Sequence, residues 1–412
     1  MKRILAIALS LILLLSAVPF AFAEGYTLEF WLAGNDDSLY AAYEQVVKKY
    51  EADHPGVKIN MNMINWGEYF TKLSTSFVGG TGPDVFAIGF AQFYTLAGNK
   101  SMLNLADYIP ADWDGYGDIP ENILNLGKVD GNIHALLVPE ARALYYRKDI
   151  AQENGVTEED LKIETLDDLV ELAKKMTIKN GDEVVVEGLE IVTVAGNSPE
   201  QTNFIYGEME GAATLWADDL SPLFNEEAYV RAISKVKALL DEGYAIPQSP
   251  GINYFNTDVA AMSINTQTTI EGAAIPAISG LGGEVGVIRL PKTVLLGQWY
   301  AANAATKLPK EAADFLLYLF SIESQTALID ATGQIPSRSS LAELYCADND
   351  MRKVYFDTVQ EATAYGNVAN PYFLSWVNQY RSALEGIYAG TSEAQAALDE
   401  FCNVYKEICG LK

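Results

Sequence analysis

Gly79-Gly80-Thr81-Gly82-Pro83-Asp84-Val85-Phe86-Ala87-Ile88 is a glycine-rich turn that feeds a proline, an aspartate and a short apolar run. Proline fixes φ at a strand entry, where its missing N–H costs least, and glycine supplies the turn geometry before it. Four consecutive apolar residues predict a strand buried on both faces, as in a parallel sheet covered by helices. In such sheets a ligand crevice lies beyond the carboxyl ends of the strands. Gly89, Phe90, Ala91 and Gln92, which follow, are therefore a predicted cleft wall.

Upstream, Leu28, Phe30 and Leu32 alternate as a strand. Leu39, Tyr43, Val46, Val47 and Tyr50 follow at helical spacing until Pro55-Gly56 stops the helix, with His54 placed favourably for its C-terminal dipole. Val57, Ile59, Met61 and Met63 alternate again. Strand, helix and strand make a βαβ unit, which requires a parallel pair and a right-handed crossover. Asn65 and Trp66 fall at the carboxyl end of the second strand. Downstream, Thr165 with Asp168 is a capping-box variant ahead of a stripe at Leu166, Leu169, Leu172, Ala173 and Met176. Val184–Val194 reads as strand, and residues 310–320 as an amphipathic helix.

Lys2 and Arg3 precede an apolar block from Ile4 to Leu15, and Ala21-Phe22-Ala23 is a small-x-small cleavage site. Residues 1–23 are thus predicted to be a secretory signal peptide. The block is too short to span a membrane comfortably, and no cysteine lies near the cleavage site to carry a lipid anchor. An exported protein, periplasmic or extracellular, is expected. Without the leader, 26 basic residues face 55 acidic ones, a net charge of −29. That balance argues against nucleic acid and anionic membranes as partners, and against an anionic ligand unless Arg142 makes a local exception.

Catalytic and metal-binding signatures are sparse. His54 and His134 lie far apart, and G-x-S-x-G, H-E-x-x-H and P-loop patterns are missing, so neither metal nor cofactor is expected. A carboxylate pair for glycoside hydrolysis stays open, because 55 acids always offer pairs. Cys402 and Cys409, seven apart in a helical pattern, lie about 10.5 Å apart along the axis, beyond the reach of a disulfide. Cys346 can pair with one of them or remain a thiol.

Phe30-Trp31, Tyr50 to Ile59, Tyr69 to Leu73 and Gly82-Pro83-Asp84-Val85 together resemble the extracellular solute-binding proteins of family 1. The likeness continues at Asp130-Gly131-Asn132-Ile133-His134-Ala135, Arg142 to Asp149, Thr165 to Leu169, and Ala261-Met262-Ser263-Ile264-Asn265. It closes with Gly286 to Pro291, Ala312 to Leu316, Ser324-Gln325 and Gly333-Gln334-Ile335-Pro336. The resemblance implies an α/β, two-lobe periplasmic-binding-protein-like fold (type II) with the ligand cleft between lobes joined by crossover hinge segments. It implies a first lobe of residues 24–138 and 292–322 and a second of 139–291 and 323–412. It further implies a monomer, not an enzyme, that captures a mono- or oligosaccharide and delivers it to the permease subunits of an ABC transporter. A carbohydrate-active hydrolase and a binder of a non-sugar solute are the alternatives. Two departures stand out: a shortened stretch between Pro139 and Arg142, and Thr266-Gln267-Thr268 where the family often carries Gly-Pro-Trp.

A sugar offers hydroxyls at its edges and apolar C–H faces, so its site needs amides, carboxylates and aromatic rings. Candidates after the first two strands are Trp31, Asn35, Asp36 and Trp66, against core packing for Trp31 and helix capping for Asp36. Phe90 and Gln92 follow the opening stretch. Arg142 suits a sugar hydroxyl or ligand carboxylate, or a structural ion pair. Asn203 and Asn265 are candidates by position. The resemblance puts Trp299, in Gly297-Gln298-Trp299-Tyr300, where the family often has a cleft aromatic. Trp376, near Tyr372, completes the set, with buried core as its other reading.

Overall fold

The computed structural model describes residues 25–34, 37–347, 349–366 and 370–412. The expected signal peptide, Asn35 and Asp36 lie outside the described residues. The chain opens with β1 (Tyr26–Ala33), α1 (Asp37–Asp53) and β2 (Val57–Ile64), and β1 and β2 run parallel in unbroken register from Tyr26↔Val57 to Ala33↔Ile64. The expected βαβ unit is present. His54 closes α1: its Nδ1 lies 2.8 Å from the Tyr50 carbonyl oxygen and its ring stacks on Tyr50. Then come α2 (Trp66–Val78), β3 (Val85–Gly89) and α3 (Phe90–Gly98). Asn65 caps α2, its Oδ1 accepting from the Gly67 N–H at 2.8 Å. Asp84 accepts from the Glu29 N–H at 2.9 Å, so the turn before β3 pins that strand beside β1. Val85, Phe86, Ala87 and Ile88 are all fully buried, as the apolar run requires.

A short hairpin of β4 (Lys128–Val129) and β5 (Asn132–Ile133) turns on Asp130 and Gly131, both at positive φ. β6 (Ala135–Glu140) follows, and after Ala141 alone the chain enters β7 (Arg142–Arg147) in another sheet. Next come α4 (Leu166–Met176), a second hairpin of β8 (Ile178–Asn180) and β9 (Glu183–Val186), and α5 (Pro199–Met209). The capping box of Thr165 and Asp168 at the start of α4 is complete. The strand expected over Val184–Val194 ends at Val186; Glu187 keeps one bridge, to Ala260. After β10 (Met262–Thr266) and β11 (Val285–Ile288), β12 (Leu296–Ala302) returns to the first sheet. The remaining main helices are α6 (Pro309–Leu319), α7 (Ile322–Thr332), α8 (Asp350–Glu361), α9 (Phe373–Tyr388) and α10 (Ala394–Cys409). Cys346, Cys402 and Cys409 are unpaired thiols, the last two buried.

The larger sheet has the order β2-β1-β3-β12-β6 and the smaller one β10-β7-β11. The larger is mixed rather than wholly parallel. β12 re-enters it from the crossing side and so pairs antiparallel with both β3 and β6. One face of this sheet (Leu28, Phe30, Val85, Tyr300) packs on α1 and α6. The other (Phe86, Ile88, Trp299, Ala301) meets residues of α2 and α3. The two crossings near Ala141 and Thr293 are clipped together. The Arg142 N–H donates to the Thr293 hydroxyl at 3.2 Å, and that hydroxyl donates to the Arg142 carbonyl at 2.8 Å. Thr363 joins them, its N–H donating to the Thr293 carbonyl at 3.1 Å.

α7 packs against α1 of the larger sheet. Beyond it, the Ser337 hydroxyl donates to the Leu137 carbonyl at 2.6 Å and the Ser339 N–H to the Asp118 carbonyl at 2.8 Å. Residues 323–341 therefore side with the larger sheet. An amphipathic helix does not reveal which sheet it covers.

Candidate ligand cleft

Two cavities of about 560 and 420 Å³ open beside the crossing from β6 to β7, and both are lined by Glu140 and Gly297. Each lies in the size range of small-molecule sites. Each is also walled from both sheets. In the larger, Trp66 and Gln298 face Gln267, Glu271 and Arg352; in the smaller, Phe70, Phe90 and Gln92 face Arg142, Glu200 and Arg381. Gly297 is required at the shared floor. Its φ is +143°, and a Cβ there would stand 2.1 Å from the Val138 carbonyl oxygen. Glycine alone allows β12 to run this close under the cleft.

Aromatic faces and polar edges are both present. Trp66, the first residue of α2, is 40 % exposed, and its ring rests on Tyr69 and Phe70 at 6.3 and 5.6 Å between centroids. It projects because it follows a strand end. Gln298 receives a hydrogen bond from the Tyr300 hydroxyl at 2.6 Å, which fixes its amide. The Gln267 Nε2 is buried with no acceptor among the described residues. Arg352 forks onto Glu271 at 2.8 and 2.7 Å, and Arg381 onto Glu200 at 2.7 and 2.6 Å. Burial raises the carboxyl pKa of Glu140 above its ordinary range, and the charge of Arg142 offsets this only in part. Among the described residues no cluster of histidine, cysteine and carboxylate side chains suits a metal ion.

Of the residues expected at the site, Trp66, Phe90, Gln92 and Arg142 line these cavities. Trp299 does not. It is fully buried, stacked on Phe93 with centroids 5.7 Å apart, and its Nε1 donates to the Leu126 carbonyl at 2.9 Å. Gly297-Gln298-Trp299-Tyr300 lies within β12, and alternation sends Gln298 to the cleft and Trp299 to the core. Trp376 is likewise fully buried, among Trp216, Phe224 and Tyr405. Asn203 is buried and satisfied: its Nδ2 donates to the Pro199 carbonyl at 2.9 Å and its Oδ1 accepts from the Tyr388 hydroxyl at 2.8 Å. Trp31 and Asn265 lie outside both cavities. The Lys72 ammonium covers the Trp31 ring at 5.6 Å, and the Asn265 Oδ1 accepts from the Thr266 N–H at 2.9 Å.

Gln267, Gln298, Glu140, Phe70 and the two arginine–glutamate forks were not anticipated. Gln267 had a signal, since Thr266-Gln267-Thr268 stands where an aromatic is usual and an amide is as good a sugar partner. The forks had none: Arg381 and Glu200 are 181 residues apart.

The family model for the bacterial extracellular solute-binding proteins matches residues 45–353. The chain is 24% identical over 382 residues to a binding protein of Brucella abortus, covering 87% of each. An ABC transporter solute binding protein of Thermotoga lettingae bound with α-D-tagatose is similar in fold, with a TM-score of 0.80 at 18% identity over 94% of this chain and 100% of that one. So is the GacH receptor of Streptomyces glaucescens, solved unliganded and with acarbose, with a TM-score of 0.79 at 22% identity over 94% and 100%. With three quarters of its length matched and a cleft between two sheets, the chain belongs to the bacterial extracellular solute-binding proteins.

Proposed function

We propose that this protein captures a mono- or oligosaccharide outside the cytoplasmic membrane and delivers it to the permease subunits of an ABC importer. One observation carries the reading: a cleft at the chain crossings whose walls come from both sheets and combine aromatic faces with amide edges. The α-D-tagatose and acarbose held by two proteins of the same fold support a sugar as the ligand. The larger sheet with its helices, including residues 323–341, forms one lobe, and the smaller sheet with its helices forms the other. Ala141 and the segment through Thr293 serve as hinges. A ligand touching both walls stabilises the closed arrangement, and this differential contact is the whole mechanism, with no bond made or broken. The mature protein acts as an exported monomer. No described helix is long and apolar enough to cross a membrane.

The test is a thermal-shift screen against neutral and acidic sugars, then small-angle scattering with the best binder. Ligand at 100 times Kd adds about 2.7 kcal/mol of stability. A confirmed ligand that leaves the radius of gyration unchanged would refute lobe closure.

A further inference from the structure

Seven arginines are described, and six of them hold a carboxylate within 4 Å: Arg147, Arg231, Arg289, Arg338, Arg352 and Arg381. Arg142 holds none. In a chain of net charge −27 that exception needs a physical reason. Arg142 is only 8 % exposed, and its Nη1 is buried with no acceptor among the described residues. A buried, unpaired guanidinium is costly, and removal from water is normally offset by an anion or by acceptor oxygens. Its backbone cannot turn away. Both the N–H and the carbonyl are held by Thr293, and β7 pairs with β10 through Arg142↔Thr266.

The acids nearest to it do not serve. Glu200 is forked onto Arg381. Glu140 lies two residues away and lines the same cavity, yet makes no ion pair with Arg142. Burial makes its charged form less favourable, so it is a poor permanent counterion. Across the cavity Gln92, 7 % exposed, makes no side-chain hydrogen bond among the described residues, and Phe90 offers an apolar face beside it. The smaller end of the cleft thus carries one guanidinium without an ion-pair partner among the described residues, one unused amide and one ring within about 420 Å³.

Resting on the reading of this cleft as a sugar site, we propose that its smaller cavity takes a uronic acid residue, whose carboxylate lies on the Arg142 guanidinium while Gln92 holds a hydroxyl. A carboxylate matches a single spare cation. A dianionic phosphate would bring a second negative charge with no second spare cation to meet it. The acidic surface does not forbid such a ligand, because charges farther away than about 8 Å are largely screened at physiological salt.

The experiment is calorimetric titration of the mature chain with D-galacturonate, D-glucuronate and their short oligomers. Matched titrations use the neutral sugars, the methyl-esterified uronides and the 6-phosphates. The expected result is binding of the free uronides at least roughly tenfold tighter than their neutral or esterified counterparts, the lower range for a hydrogen bond to a charged group. Arg142→Gln should abolish that preference, so that free acid and methyl ester bind equally, and Arg142→Lys should keep part of it, having the charge without the fork. The wild-type comparison of free acid with methyl ester needs no variant to fold. Equal affinity for acid, ester and neutral sugar would overturn this inference and leave the sugar reading standing, as would a preference for the 6-phosphate. Binding of none of these sugars would overturn both.

Discussion

Trp66 and Trp299 stand at two depths beside one sheet, the rim of the cleft and the buried core. Trp66 stands one residue past Asn65, at the carboxyl end of β2, where no further strand pairing holds it, and 40 % of it meets solvent. Trp299 sits inside β12 with strands on both sides, so the pleat alone decides where it points. Its neighbour Gln298 faces the cleft, and Trp299 therefore cannot. Position relative to a strand end, more than residue type, separates a cleft-facing ring from a core ring in this fold.

The hardest test of that contrast is in the core. Trp299→Ala should lower unfolding free energy by about 3–5 kcal/mol in a urea titration without ligand, the usual cost of truncating a buried tryptophan. A change below about 1 kcal/mol, with ligand affinity lost instead, would move Trp299 back to the rim. At the rim itself, Trp66→Ala should weaken sugar binding by roughly 1–3 kcal/mol, on the scale of an interface anchor. Its unfolding free energy should shift by less than about 1 kcal/mol. Intact affinity in calorimetry would leave the larger cavity without its platform.

The smallest effect belongs to Glu140, which both cavities share. Its folded carboxyl pKa is raised by burial, so the folded chain binds this proton more tightly than the unfolded one. Its contribution is present in full below the ordinary carboxylate range and is lost as pH rises through the raised folded value. Stability of the wild type should therefore fall with rising pH more steeply than that of Glu140→Gln. The difference in slope should be less than the roughly 1.4 kcal/mol per pH unit that one proton can supply. Parallel slopes in melts across pH 4–8 would show that Glu140 is ordinarily solvated.

What was legible in the sequence was local. Period-two alternation in β1 and β2, the Pro55-Gly56 stop and the Thr165–Asp168 cap each act within a few residues, and each is present in the fold. The run Val85–Ile88 announced a strand buried on both faces, and the cleft wall just beyond it holds Phe90 and Gln92. The rest depended on pairing across long separations. The antiparallel return of β12 beside β3 could not be read from either strand. That return sets the parity of Trp299. Trp376 and Asn203 are drawn inward for a related reason: α5 and α9 carry polar and aromatic residues that satisfy each other, as Asn203 does with Tyr388 across 185 residues.

The three unpaired thiols bear on how this protein can be put to use. Cys402 and Cys409 are buried in α10, and burial pushes all three thiols up, Cys402 to about 11. At pH 7 a thiol with that pKa is thiolate only about one part in ten thousand, and the thiolate is the form that alkylates. A cysteine introduced at Leu374, 41 % exposed beside the smaller cavity, would outpace the buried Cys402 and Cys409 with a maleimide dye. With the half-buried Cys346 replaced, the chain can therefore carry a single fluorescent reporter at the cleft.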